Sequence, residues 1–169
     1  MGTIRQVSVH SLVVEPIDPS RTLELRQRVL RPHLTLEQVA AALDEGRDVE
    51  HYGAVDTATG EVLATGNLRR EDPPSGLAAD VPPLPFWRLR GMATREDLRD
   101  QGIGALVLDA LVEHCAAHGG GVLWCSARLG ARRFYARAGF AEWGTEYEVE
   151  HIGLHVLMWR LVEPVERSS

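Results

Sequence analysis

The stretch Arg99-Asp-Gln-Gly-Ile-Gly104 joins a predicted strand, Phe86–Thr94, to a predicted helix that runs from about Ile103 to His118. Its two glycines stand at alternate positions, where a missing Cβ lets the backbone turn tightly and lets several amide N–H groups converge on one ligand. The start of a helix adds N–H groups without intrahelical partners and the positive end of the helix dipole. The stretch therefore predicts a turn that can hold a diphosphate.

Composition limits the functions open to this chain. Its 169 residues, 44% hydrophobic and 25% charged, fit one globular domain that spans residues 1–169. The formal net charge of −6 argues against nucleic acid as a partner. All 18 basic residues are arginine. The absence of lysine excludes a Walker-type phosphate loop and a Schiff-base enzyme, since both need a lysine amine.

Cysteine usage and hydropathy predict a soluble, cytoplasmic protein. The two cysteines, Cys115 in a helical pattern and Cys125 in an apolar strand, do not form a disulfide framework. The sequence holds no apolar run of the roughly 20 residues that span a bilayer and no signal-peptide core at its start. We therefore expect no membrane partner.

The first third of the chain predicts one strand and two helices. Apolar and polar residues alternate at several points over Ile4–Glu15, which is typical of a strand. A helix is predicted from an N-cap at Ser20 to Leu30. A second helix is predicted over Thr35–Asp44, where Thr35 and Gln38 can form a capping box.

The rest of the chain predicts a mixed α/β order around one central crossover. A hairpin with a turn at Gly60 joins two predicted strands, and a proline-rich segment, Glu71–Pro85, is predicted to be an exposed loop. A strand, a helix and a second strand around the glycine turn predict a right-handed crossover, which makes the two strands parallel neighbours. The remaining predicted elements are the strands His51–Asp56, Glu61–Leu68, Val122–Ser126, Phe140–Glu150 and His155–Val162 and the helix Ala131–Ala138.

Two motifs in this context resemble the GNAT superfamily of N-acetyltransferases. The first is that family's signature of Arg or Gln, two residues, Gly, one residue and Gly or Ala, which stands here as Arg99, Gly102 and Gly104. The second, about 30 residues later, is Phe134-Tyr-Ala-Arg-Ala-Gly-Phe140, an aromatic pair before a Gly-Phe turn. The resemblance implies a mixed, mostly antiparallel twisted sheet of six to seven strands, with a central splayed parallel pair and about four helices.

The resemblance also implies an activity and a set of site residues. It implies acetyl transfer from acetyl-CoA to an amine of a small molecule or peptide by direct attack, without a covalent enzyme intermediate and without a metal. It is also compatible with a homodimer. Tyr135 matches the phenol that serves as general acid for the departing thiolate. The implied acetyl-CoA contacts are Met92, Ala93, Thr94, Arg99, Asp100, Gln101, Gly102, Ile103, Gly104, Ala105, Phe134 and Arg137.

Several alternatives stay open at this point. Tyr135 can equally be a core tyrosine, and the arginines of the Ala131–Ala138 helix can form an exposed face. The general base is unassigned, with four glutamates as candidates by position and each more typical of a solvated surface. Arginines of the first helix can bind an anionic group of the acceptor or simply face solvent. The four glutamates are Glu71, Glu96, Glu142 and Glu146, and the three arginines are Arg26, Arg28 and Arg31.

Two other classes of function compete. A non-catalytic acyl-CoA sensor can use the same fold, because fold does not fix function. A dinucleotide-dependent oxidoreductase also places a glycine turn between strand and helix, but it needs a third glycine near Val107 and an acidic residue about 20 positions onward. The sequence has neither feature.

Overall fold

Seven strands form one sheet in a computed structural model that describes residues 11–43 and 48–166. The strand order is β1-β2-β3-β4-β5-β7-β6, and every neighbouring pair is antiparallel except β4 and β5. The strands are β1 (Leu12–Pro16), β2 (Val49–Asp56), β3 (Val62–Arg70), β4 (Phe86–Thr94), β5 (Gly121–Arg128), β6 (Ala141–Val149) and β7 (Gly153–Val162). This topology confirms the predicted mixed, mostly antiparallel sheet with a central parallel pair.

Helices cover both faces of the sheet. They are α1 (Leu23–Leu30), α2 (Leu36–Ala41), α3 (Ser75–Asp80), α4 (Ile103–Ala117) and α5 (Arg132–Arg137). A Cβ at Gly66 would touch Leu111 of α4, whereas the next residue, Asn67, lies beside Arg26 of α1. Since successive side chains of a strand point to opposite faces, α4 and α1 lie on opposite faces of the sheet.

The longest helix, α4, supplies the centre of the core. Val107, Leu108 and Leu111 are each at most 1% exposed and pack with Leu68 and Leu89 of the sheet. They recur at the helical spacing that puts them on one stripe, so burial of that stripe fixes α4 against β2, β3 and β4. The predicted strand Phe86–Thr94 is confirmed over its full length, and the predicted helix Ile103–His118 is one residue too long.

Two predictions for the chain before residue 90 are wrong. The Glu71–Pro85 segment contains α3, which forms because Leu77 is fully buried with Val122 and Trp124. Ser20 does not cap the first helix: a 3₁₀ turn, Pro19–Thr22, precedes α1, and the side chain of Asp18 accepts from the Ser20 N–H. The capping box of Thr35 and Gln38 is confirmed. Residues 4–10 of the first predicted strand and Asp44, the last residue of the second predicted helix, lie outside the described residues.

The parallel pair β4–β5 opens after three residue pairs. Phe86 pairs with Val122, Trp87 with Leu123 and Arg88 with Trp124, and the pairing ends there although both strands continue. On its other edge β4 carries a bulge, because the register with β3 passes from Asn67↔Arg90 to Thr65↔Ala93. The bulge uses a left-handed backbone at Gly91, with φ of 62°. A side chain there would collide with Arg26, since a Cβ would lie 2.7 Å from its Nη1.

Candidate active site

The opening between β4 and β5 creates a strand edge that can bind an extended ligand. Beyond Arg88 the backbone groups of β4 that face β5 have no strand partner among residues 11–43 and 48–166. Met92, Ala93 and Thr94 lie in this stretch, and Ala93 and Thr94 pair with β3 on their other edge. Backbone N–H and C=O groups require partners when water is excluded, so this edge suits a ligand that carries amides of its own.

The glycine turn lies directly beyond this edge. Asp100 and Gly102 both adopt left-handed backbone, with φ of 64° and 80°. Gly102 is the N-cap residue of α4, and no side chain there caps the helix. The first N–H groups of α4, at Ile103, Gly104 and Ala105, are therefore without side-chain partners from the cap. This arrangement fits the predicted diphosphate cradle, with the helix dipole adding a favourable field.

The two glycines of the turn have different roles. A Cβ at Gly104 would lie 2.8 Å from Thr94 Oγ1, so this glycine lets the start of α4 approach the end of β4. A Cβ at Gly102 would meet nothing within 4 Å, and here the left-handed backbone is what favours glycine. Phe134 lies 3.5 Å from the same Cβ position at Gly104, which brings α5 to the first turn of α4.

Tyr135 is buried, with 7% of its surface exposed. Its ring makes edge contacts with Phe134 and Phe140, at centroid distances of 5.1 and 5.5 Å. Burial raises the pKa of the phenol well above 10, Cys125 adds to the shift and Arg128 opposes it. The hydroxyl therefore keeps its proton at neutral pH, which suits a general acid and equally suits a core tyrosine.

Several other predicted residues have side chains on the surface. Arg99, Gln101 and Arg137 are exposed, as are the side chains of Asp100 and Glu96. Glu142 and Glu146 both pair with Arg132, at 3.3 and 3.2 Å, and are about half exposed. These two glutamates of β6 therefore have the surroundings of surface ion pairs.

On the face of α1 and α3, Glu71 lies between two arginines. It accepts hydrogen bonds from Arg69 and from Arg88, the latter at 2.5 Å. Arg88 also stacks over Trp124 at 4.8 Å, and the indole N–H of Trp124 donates to the Glu71 carbonyl at 2.9 Å. Burial favours the neutral carboxyl, but the two arginines outweigh it and hold the pKa of Glu71 below its usual value. A carboxylate held this way is a weak base.

A group of polar residues on the same face was not singled out from the sequence. The Ser126 hydroxyl bonds the Tyr147 phenol, and Tyr147 stacks on His155 at 6.0 Å. The Nδ1–H of His155 donates to the Gly153 carbonyl at 2.9 Å in the tautomer that this contact requires. Alternation within β5 is the sequence signal that could have found Ser126 and Arg128, since both follow an apolar run at alternate positions.

Asn67 lies beneath α1 at the bulge. It is fully buried, and neither atom of its side-chain amide has a hydrogen-bond partner within the described part of the chain. Its Nδ2 lies 3.0 Å from the position that a Cβ on Gly91 would occupy. This polar group faces the bulge on the α1 side of the opening.

A cavity of about 570 Å³ lies at the far end of α4, lined in part by Arg70, Trp87, His118 and Val165. It is separate from the glycine turn, which begins the same helix. Within residues 11–43 and 48–166 no three His, Cys, Asp or Glu side chains are grouped to hold a metal ion. In these same ranges no helix has the length and apolar character needed to cross a membrane.

Comparison with known proteins places the chain among acetyltransferases. The family model described as Acetyltransferase (GNAT) family matches residues 20–140. The uncharacterised N-acetyltransferase YitI of Bacillus subtilis is 31% identical over 149 residues, which cover 88% of this chain and 95% of that protein.

Solved structures share the fold at lower identity. The ribosomal-protein-S18-alanine N-acetyltransferase of Escherichia coli superposes with a TM-score of 0.67 at 16% identity, over 94% of this chain and 98% of its own. An aminoglycoside 6'-N-acetyltransferase in complex with coenzyme A gives 0.68 at 12% identity, over 92% and 99%. Arabidopsis thaliana NAA60 in complex with acetyl-CoA gives 0.66 at 16%, over 89% and 98%.

Glu71→Gln tests the charge cluster on the α1 face. Because the pKa of Glu71 is lower in the folded chain than in the unfolded chain, its carboxylate stabilises the fold above its ordinary value of 4.5. That contribution is lost as pH falls through the folded pKa. We expect the variant to lower the free energy of unfolding by about 1–2 kcal/mol at about pH 7, with a smaller loss near pH 4.

Urea titrations at both pH values measure this difference. Glu148→Gln on the exposed side of β6 is the control and should change little at either pH. A loss that is the same at both pH values would contradict a charge-based role for Glu71.

Proposed function

This chain belongs to the GNAT family of acetyltransferases, and on that premise we propose that it transfers the acetyl group of acetyl-CoA to an amine of a small molecule or peptide. The transfer proceeds by direct attack in a ternary complex, without a covalent enzyme intermediate. The observation that carries the proposal is the open edge of β4, which leads into the uncapped first turn of α4. A pantetheine arm has amides to match the strand edge, and a diphosphate matches the helix start.

The residues present fit this co-substrate. Met92, Ala93 and Thr94 offer backbone donors and acceptors along the open edge, and the amides from Gln101 to Ala105 surround the turn. Gly102 leaves the space in front of the turn clear. Arg99 and Arg137 are exposed and carry charge close to these elements, where phosphate oxygens can meet them.

The reaction requires four changes at the reacting atoms. The amine nitrogen forms a bond to the carbonyl carbon while the carbon–sulfur bond breaks. The amine loses a proton to solvent water, and the sulfur gains one. Backbone N–H groups near the bulge of β4 can donate to the carbonyl oxygen as charge develops there. Tyr135 donates the proton to sulfur.

The surroundings of Tyr135 favour proton donation to a thiolate. The thiol of Cys125, on the strand beside it, is 2% exposed, and burial raises its pKa to about 12. A thiolate that departs into the same buried region is penalised in the same way and becomes a strong base. A phenol is then an adequate acid although its own pKa is also raised.

Two measurements on the wild-type protein test the proposed function. Calorimetry should detect acetyl-CoA binding, and release of free thiol should follow addition of an accepted amine from a panel of amino acids, polyamines, amino sugars and peptides. Binding without turnover on any amine would instead support a non-catalytic acyl-CoA sensor. Absence of acetyl-CoA binding would overturn the proposal.

Gly102→Ala tests the turn. The added methyl enters open space at a residue with φ of 80°, so we expect a loss of about 1 kcal/mol in unfolding free energy and weaker acetyl-CoA binding, by about tenfold. Gly60→Ala is the matched control, because Gly60 has φ of 74°, nothing within 4 Å and a place in the β2–β3 turn.

Both variants should lose similar stability, and only Gly102→Ala should bind acetyl-CoA more weakly in calorimetry. Equal affinity in the two variants would remove the turn from the binding site.

Tyr135→Phe tests the general acid. The ring and its edge contacts remain, so we expect acetyl-CoA affinity to stay near the wild-type value while kcat falls by about 10²–10⁴. Tyr52→Phe is the control, since it removes a phenol that bonds His114 at 3.2 Å at a distance from the turn. An unchanged kcat in steady-state assays of Tyr135→Phe would leave this tyrosine with a packing role only.

A further inference from the structure

Two arginines meet at one backbone oxygen where α1 and β5 end. Arg128, the last residue of β5, donates from Nη2 to the Leu30 carbonyl at 2.6 Å. Arg31, the C-cap residue of α1, donates from Nη1 to the same oxygen at 3.0 Å. Both side chains are half-buried. Two guanidinium groups are therefore held close together by a single neutral acceptor.

No carboxylate of the described residues balances this pair. Among the described residues, neither Arg31 nor Arg128 has an acidic group within 4 Å, whereas Arg88 and Arg95 each do. The end of a helix supplies only about half of a negative elementary charge, against two positive ones. Like charges that are partly removed from water repel each other unless an anion lies between them.

Burial and the neighbouring guanidinium groups act on both arginines. Burial lowers the pKa of both Arg31 and Arg128. The charge of Arg128 lowers the pKa of Arg31 further, and the charge of Arg99 lowers that of Arg128. Arg99 belongs to the glycine turn, so three positive charges border the open end of the site. This cluster of positive charge stands out because the formal net charge of the whole chain is −6.

The pair lies on the side from which an acceptor can approach. Arg128 stands opposite His155 in the β5–β7 register, and the next residue of β5 on that face is Ser126, which bonds Tyr147. This is the face of α1, whereas Phe134 and the start of α4 lie on the other. Arg128 is also close enough to influence Tyr135.

We propose that Arg31 and Arg128 bind an anionic group of the acceptor, so that the preferred substrates are amines carrying a carboxylate or phosphate near the amine. This inference rests on the proposed acetyl transfer and names its substrate class. A carboxylate or phosphate has two or more oxygens and can accept from both guanidinium groups at once. The amine of such a molecule is then anchored on the acceptor side of the opening.

Matched pairs of acceptors test the proposal. The pairs are α-amino acids with their amides and O-phosphoethanolamine with ethanolamine, which share the amine and differ in the anion. We expect the wild-type kcat/KM to favour the anionic member by about ten- to hundredfold, mainly through the KM of the acceptor. Amine basicity alone would favour the amides over the amino acids. An amide lacks the nearby carboxylate, so its amine loses a proton more easily.

Arg128→Gln and Arg31→Gln should each bring this preference close to one, and Arg128→Lys should restore part of it. Arg21→Gln is the matched control, since it too removes a guanidinium that donates to a backbone carbonyl, that of Gly60 at 3.0 Å. It should keep the wild-type preference. A merely structural role of Arg128 would lower kcat/KM for both members of each pair equally and would overturn the proposal.

A second set of outcomes shows whether the two arginines bind an anion of the acceptor or the phosphates of acetyl-CoA. If the two arginines bind the phosphates of acetyl-CoA instead, the variants will raise the KM for acetyl-CoA and leave the preference among acceptors unchanged, which overturns the inference. Transfer to neutral and anionic amines at equal rates in the wild type also overturns it while the proposed function stands. Absence of transfer to every amine would overturn both.

Discussion

The early end of the β4–β5 pairing is the constraint on which the rest of the site depends. A parallel pair that stayed in register along both strands would satisfy its own backbone and leave no edge for a ligand. Here the pairing stops at Arg88↔Trp124, and the bulge at Gly91 redirects β4 just beyond that point. The sheet is nevertheless held together on both sides, because β4 keeps its ladder with β3 and β5 keeps its ladder with β7. The opening thus lies inside a rigid frame.

The sequence predicted the elements whose signals are local. The strand Phe86–Thr94 and the capping box at Thr35 depend on alternation and on a short-range hydrogen-bond pattern, both of which can be seen in the residues themselves. The helix α3 depends on something else. Its six residues follow Pro74 and contain one buried side chain, Leu77, which is held by Val122 and Trp124 from a strand more than forty positions away. Tertiary packing, not periodicity, forms this helix, so a proline-rich composition was misleading.

The candidate site likewise has one part determined by neighbouring residues and one part determined by tertiary packing. The conformation of the glycine turn was predictable because six consecutive residues determine it, and the structure adds that Gly104 serves packing and Gly102 serves backbone conformation. Diphosphate binding at this turn stays a prediction. The α1 face was predictable only in part. The sequence indicated Arg31 as one of three arginines that can bind an anionic group of the acceptor. Arg128 and His155 come from distant parts of the chain, and only the β5–β7 register and the end of α1 bring them to the same face.

The absence of lysine suits a site in which positive charge lies close to a reactive acyl group. A site that binds phosphates, and that holds a thioester in contact with an amine, needs positive charge close to a reactive acyl group. Lysine would supply that charge on a primary amine that can itself be acylated, whereas the arginine guanidinium stays protonated and is a poor nucleophile. All 18 basic residues here are arginine, so positive charge around the opening introduces no competing side-chain amine. Arginine also provides the forked donors that two-oxygen anions match, and the pair at Leu30 has that geometry available on the acceptor side. In the proposed reaction, the same residue type therefore attracts the anionic groups of both substrates and leaves the acyl group to the bound amine.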